Sequence, residues 1–424
     1  MDDKTISDIR ARMEGNRKII IVGGGAAGFF SAITAARKNP EARVSIFEKS
    51  SKLLTKVSIS GGGRCNVTHD CQDPDKLIAF YPRGSKELLG PFHRFSPAQT
   101  IEWFRECGIA LKTEADGRMF PVTDNSSTIV NCLLSEARSA GVEIETGMKV
   151  KKLIPIDTGQ IRIRIEDKED CIADAVLIAT GGNASLSAFI WLEELGHHIL
   201  TPVPSLFTFN IPSHPITALM GLSVSDVLVK IAGTKFSQQG PLLITHWGMS
   251  GPAVLKLSSV AARALAEKNY QFDILINWSG DSQLEELKEK IQILRKNNPS
   301  KVIIHSPLTG VPKRLWEYLV GKAGITNTVL WADLSAKKLQ ELSQILYSDQ
   351  YHVSGKTTFK EEFVTCGGVS LKEVDFKTMQ SKIVPNLYFA GEVLDIDALT
   401  GGFNFQAAWT TGFIAGESMA YDRS

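Results

Sequence analysis

The 424 residues contain no Cys-x-x-Cys pair, no run of 18 apolar residues and no excess of either charge. Cys65, Cys71, Cys107, Cys132, Cys171 and Cys366 are scattered singly, so neither a zinc ribbon nor a dithiol redox motif is written here. The N-terminus, MDDKTISDIRARMEGNRK, lacks the apolar segment of a secretion signal, and residues 1–17 read as a short helix or a loose tail. The expectation is a cytoplasmic protein with reduced thiols and no helical membrane span. A net charge of +1 supplies no general attraction to anionic lipid or nucleic acid, so neither is expected as a partner. No internal repeat and no low-complexity linker interrupts the chain, and no metal site is expected.

What is present begins at Lys18. KIIIV has the β-branched composition of a buried parallel strand. Gly23, Gly25 and Gly28 follow in G-x-G-x-x-G spacing, FFSAITAAR continues as a helix, and VSIFE forms a second strand ending in Glu48. Each part has a physical reason. Gly23 allows the tight turn, Gly25 lets a pyrophosphate approach the backbone, and Gly28 lets helix and strand pack closely. The helix N-terminus offers unpaired amides and a positive dipole end. Glu48 can bond both ribose hydroxyls and would repel a 2′-phosphate. Strand, turn, helix, strand and acid together predict a dinucleotide site.

Downstream signals point to FAD rather than NAD. DAVLIATGG (174–182) is an apolar strand ending in small residues, with Thr180 and Gly181 near the cofactor. LYFAGE, ending in Gly391-Glu392, matches a late FAD fingerprint in which an acid meets the ribityl chain. Thr400-Gly401-Gly402 then opens a helix whose N-terminus can stabilise negative charge developing on a flavin ring. A nucleotide fold that opens at residue 18 and closes near 416 must hold an insertion. No second G-x-G-x-x-G follows a strand, so NAD(P)H would dock transiently at the flavin, or oxygen would serve as redox partner.

The insertion has two textures. Residues 195–280 carry short β-branched runs such as LFTFNI, VSDVLVKIAG and QFDILINW, suited to a barrel or sandwich. Residues 282–347 switch to helical periodicity. Within THWGMSG, the G-x-S-x-G of a hydrolase elbow fails at Pro252, which leaves a turn with Ser250 as helix cap. His197-His198 reads as surface or helix-capping, and KEKIQILRKNNPSK as a solvated basic helix face.

These pieces together resemble the BaiN/aminoacetone-oxidase-like bacterial NAD(P)/FAD-dependent oxidoreductases, of the YhiN type. The resemblance rests on VGGGAAG, SGGGRCNVT from Ser60, GPLLITHWGMSGPAVL, TCGGVSLKEVD and YFAGEVLDIDALTGGFNFQAAW, and it spans nearly the whole chain. It implies an α/β architecture with bound FAD. A Rossmann-like FAD domain of the two-dinucleotide-fold type would cover residues 1–190 and 356–424. An inserted domain would cover 191–355, β-barrel-like over 191–281 and mainly helical over 282–355. The implied cofactor contacts are Gly61, Gly62, Gly63, Arg64 and Asn66, and around the ring Thr365, Cys366, Gly367 and Gly368. Ala26, Ala27, Lys49, Lys56, Cys65, Phe403 and Asn404 complete that set. Two departures stand out: Cys366 replaces the usual alanine of Thr-Ala-Gly-Gly-Val, and His69 replaces an asparagine.

The expected function is hydride transfer between flavin N5 and a small organic substrate. No side chain is a convincing general base; Cys366 and His246 are the candidates for chemistry beyond the flavin. Two alternatives are an FAD-binding redox sensor or scaffold, and an RNA-modifying flavoenzyme.

Overall fold

KIIIV is shielded on both faces, with Ile19, Ile20 and Ile21 fully buried, and it takes the centre of a parallel sheet as β1 (Lys18–Val22). The computed structural model describes residues 16–357 and 364–421, so the short helix considered for the N-terminus lies outside the described residues. The chain divides into two compact units, Met1–Val203 with Lys360–Ser424, and Pro204–Phe359.

In the first unit, β1 is followed by α1 (Ala26–Lys38), β2 (Arg43–Glu48) and α2 (Thr55–Gly63). β3 (Glu143–Thr146), β4 (Ala175–Ile178), β5 (Leu387–Phe389) and α3 (Phe403–Met419) complete the nucleotide fold. The five strands are parallel in the order β3-β2-β1-β4-β5. This is the doubly wound order, whose direction reverses between β1 and β4 and opens a crevice beyond their C-terminal ends. A hairpin of Val374–Asp375 and Gln380–Ser381 extends the β5 edge. The helices α1 and α3 pack backbone to backbone: a Cβ at Gly412 would lie 2.8 Å from Ala27 O, and one at Gly416 2.4 Å from Ser31 O. Both contacts are shorter than any side chain tolerates, so the two helices require glycine there.

The second unit is built on a seven-stranded antiparallel sheet. Its order is Asp349–Ser354, Gln271–Asn277, Ser223–Ile231, Ser237–Ile244, Gly248–Ser250, Thr208–Asn210 and Lys356–Thr357. Helices Leu284–Asn297, Lys313–Lys322 and Ala336–Tyr347 supply the expected helical part. The core holds Trp278, Trp316 and Trp331. Within it the Asp349 carboxylate accepts from Lys322 Nζ (2.5 Å), Trp278 Nε1 (3.0 Å) and the Tyr351 hydroxyl. Ser250 is not the helix cap expected of it. It ends a strand, and Gly251 caps Pro252–Val260 at φ +94°, a conformation that disfavours any side chain.

Candidate functional site

The three glycines of the turn after β1 stand in different surroundings. At Gly25 an added Cβ would meet nothing within 4 Å, which leaves open space above the α1 N-terminus. At Gly28 it would come 2.0 Å from Gly23 O, so only glycine permits this approach of helix to strand. At Gly23 it would come 2.3 Å from Ala179 O, in the crevice between β1 and β4. Glu48, at the end of β2, accepts from Gly24 N and Ser50 N, each at 2.9 Å. Its carboxylate therefore stands beside the glycine turn. Ala26 and Ala27 open α1, while Lys49 and Thr180 are exposed at the ends of β2 and β4, with Gly181 next in chain.

Around SGGGRCNVT the backbone leaves helical geometry. Gly61 and Gly62 are left-handed at φ +60° and +68°. Arg64 is held by Glu114 (2.6 Å) and Asp124 (3.5 Å), with its guanidinium 3.9 Å from the Phe120 ring centroid. Arg64, an implied cofactor contact, is thus also engaged by two acids. Cys65 is fully buried, and burial pushes its thiol up to about 12. Asn66 is oriented so that Nδ2 donates to Thr68 O (3.1 Å) and Met119 O (3.3 Å), while Oδ1 accepts from Gly402 N (2.9 Å). Thr68 Oγ1 donates to Gln406 Oε1 (2.6 Å), and Trp409 Nε1 donates to Val67 O (2.9 Å). The motif is therefore fastened to the start of α3.

The end of β5 joins the same place. A Cβ at Gly391 would lie 2.9 Å from Ala27 Cβ, which sets this turn against the α1 N-terminus. Glu392 pairs with Lys56 Nζ at 2.5 Å and accepts from Thr365 N at 2.8 Å. A Cβ at Gly182, after β4, would meet Thr365 Oγ1 at 2.5 Å and Glu392 Oε1 at 2.6 Å. Gly401 and Gly402 then turn the chain into α3 with φ of +136° and +90°. Tyr81 OH donates to Phe403 O (2.6 Å), and Asn404 exchanges bonds with the Ala398 backbone. The Phe403 ring forms a three-ring cluster with Phe80 (4.2 Å) and His69 (4.6 Å), which are 5.7 Å from each other.

These residues fit a dinucleotide carrying a flavin. The amides of Phe403, Asn404 and Phe405 have no partner among the described residues, as expected at an open helix N-terminus. Thr365 Oγ1 is buried without a hydrogen-bond partner, a polar atom that a ligand would satisfy. FAD held here would have its phosphates at the α1 turn, its adenosine ribose at Glu48 and its ring toward α3.

Thr365 continues directly into Cys366, Gly367 and Gly368, and a Cβ at Gly368 would lie 2.4 Å from Val393 O in the turn after β5. Cys366 is fully buried on the strand Val364–Val369, with Gly367 and Gly368. His246 is exposed in the second unit, its ring 4.1 Å edge-on to Trp247. The surface or capping role expected at residue 197 is corrected. His197 is buried, its Nδ1 3.2 Å from Glu373 Oε2 and its Nε2 3.1 Å from Ser381 Oγ; burial holds its pKa below the ordinary value, against a smaller upward pull from Glu373. Its partners lie far along the sequence, so no local pattern announces them. Arg83 and Asp397, a buried pair beside this site, were also silent in the sequence. A cleft of about 500 Å³ lined by Glu87, Arg94, Phe376, Lys377 and neighbours shares no residue with the cofactor set.

Comparison with known proteins agrees with this geometry. The HI0933-like protein Rossmann domain model matches residues 17–418. The chain is 28% identical to the 3-dehydro-bile acid delta(4,6)-reductase of Clostridium scindens, over 95% of this chain and 99% of that protein. It is 30% identical to the ribosomal RNA dihydrouridine synthase of Escherichia coli, over 96% and 98% respectively. Among solved structures, the 3-ketosteroid-delta4-(5alpha)-dehydrogenase of Rhodococcus jostii shares the fold, with a TM-score of 0.51 at 15% identity over 96% of this chain and 97% of that one. The chain belongs to the HI0933-like Rossmann-domain family, a family of FAD-dependent flavoenzymes.

Proposed function

We propose that this protein reduces a carbon–carbon double bond conjugated to a carbonyl group in a small organic molecule, with NAD(P)H as electron donor. The observation that carries this reading is a chemistry shared by two relatives of very different substrate size. A delta(4,6)-reductase acting on a 3-dehydro bile acid saturates a bond conjugated to a ketone. Forming dihydrouridine saturates C5–C6 of uracil, which is conjugated to its C4 carbonyl. FAD, when bound, supplies the hydride for such a reduction.

The chain's own residues have three tasks in this reading. The α1 turn and Glu48 bind the nucleotide half. The free amides at the start of α3 stabilise negative charge on the reduced ring. The packed loops around Gly391 and Thr365 keep water from the reacting face. The E. coli relative supports a second reading, in which the double bond belongs to a uracil in ribosomal RNA.

The test is anaerobic. The purified protein should be yellow, and NADH or NADPH should bleach it. A cyclic enone should then restore the colour in proportion to product formed. Recolouring by a uridine-containing ribosomal RNA fragment and not by enones would select the second reading. Bleaching by neither nucleotide would refute the proposed donor.

A further inference from the structure

The N-terminus of α3 has no side-chain cap of its own: Gly402 occupies the cap position at φ +90°. Its order comes instead from a residue at the far end of the chain. Asn66 Oδ1 accepts from Gly402 N at 2.9 Å, and the two protons of its amide go to Thr68 O and Met119 O. All three bonds are made by one side chain, so Asn66 cannot rotate without losing every one. The fit is also sterically closed. A Cβ on Gly402 would lie 2.5 Å from Thr68 O and 2.9 Å from the Asn66 amide nitrogen, and a Cβ on Gly61 would lie 3.1 Å from Asn66 N. Thr68 to Gln406 and Trp409 to Val67 brace the next turns of the helix.

We propose that Asn66 is a positioning residue for the flavin: it fixes the direction of the free amides at Phe403, Asn404 and Phe405, and so tunes how readily the bound ring accepts electrons. This rests on FAD lying at the α3 N-terminus. The physical basis is that a helix terminus stabilises charge only within its first turn, so its effect depends on where that turn is aimed. Asn66 ties the turn at Gly402, immediately before the first free amide. Trp409 and Gln406 act deeper, where the helix already satisfies its own backbone. Loss of Asn66 frees the terminus to tilt and leaves the rest of α3 in place.

Three variants separate this role from a merely structural one. Asn66→Ala should raise the FAD dissociation constant about tenfold, the scale of one neutral hydrogen bond lost from the terminus that holds the ring, and move the midpoint potential of bound flavin to a more negative value. Trp409→Phe, which removes a bond from the same brace, should lower the melting temperature and leave the potential unchanged. Asn66→Asp keeps the acceptor for Gly402 N and adds negative charge beside the ring. It also loses both donors and faces Thr68 O and Met119 O with an anionic oxygen, so it should bind FAD no better than the alanine variant while lowering the potential. An unchanged potential in Asn66→Ala, or an equal shift in Trp409→Phe, overturns the proposal. Should Asn66→Ala fail to fold, an unchanged potential in Asn66→Asp overturns it as well. A parent protein that takes up no FAD refutes the flavin reading itself, whereas a flavin-loaded parent with an unresponsive Asn66→Ala refutes the positioning role alone.

Discussion

Replacing Asp397 by alanine removes a carboxylate whose side chain is 0% exposed and whose partner, Arg83, is only 11% exposed. The guanidinium meets both carboxylate oxygens through Nε and Nη2, and a backbone bridge joins the same two residues. The pair holds the segment between Leu394 and Gly401 against the entry to the helix Ser85–Arg94. Deleting one member strips the other buried charge of its bidentate contact, and breaking a buried ion pair costs about 3–5 kcal/mol. For a unit of this size each kcal/mol moves the melting temperature by roughly 2–4 °C, so a fall on the order of 10 °C is expected. Thermal unfolding of the cofactor-free protein measures it directly. The double variant Arg83→Met with Asp397→Leu supplies the internal control. Removing both charges together leaves neither ion of the pair behind, so the double variant should recover at least half of the single variant's loss. A loss below about 1 kcal/mol in Asp397→Ala, or a double variant no more stable than the single, would refute the reasoning.

Three further outcomes follow from particular groups. His197 is buried and its pKa is held below 6.5, so folding favours the neutral ring; stability should be full above pH 6.5 and fall as the solution is acidified, and His197→Gln should flatten that acid limb in melting curves. Native labelling with a maleimide at pH 8 should reach Cys71, Cys107 and Cys171 and spare the buried Cys65, Cys132 and Cys366, while Cys366→Ala should leave the flavin spectrum and turnover unchanged; full-rate labelling of Cys65, whose thiol is pushed up to about 12, contradicts the packing. Glu48→Ala removes the proposed ribose acceptor, and titration should show FAD affinity reduced about 10- to 100-fold; unchanged affinity would place the adenosine elsewhere.

The nucleotide half of the fold was legible because its signals are local. KIIIV, the spaced glycines and Glu48 sit within a single βαβ unit, where spacing dictates geometry. The closing elements β5 and α3 were legible for the same reason, each being a short strand or helix opened by glycines. What escaped depends on residues distant in sequence. Arg64 stood among the implied cofactor contacts, but its ion pairs were not legible, since Glu114 and Asp124 arrive from elsewhere in the sequence. The burial of His197 required Glu373 and Ser381. Ser250 had the chemistry of a cap, yet the chain needed a positive φ at that point and Gly251 took the position. Asn66 stood among the implied cofactor contacts, but its bond to Gly402, distant in sequence, was not legible.

The strand order β3-β2-β1-β4-β5 has a consequence for biosynthesis. β4 ends at Ile178 and its neighbour β5 begins at Leu387, so about 200 residues must be made before the inner edge of the sheet is covered. At roughly 5–20 residues per second this is about 10–40 s of translation, during which β4 presents an open, apolar edge. The second unit, encoded between them, is complete long before the first. The nascent protein therefore acquires its inserted unit before its cofactor fold closes, and a ribosome that stops short of β5 releases a chain with an unclosed sheet.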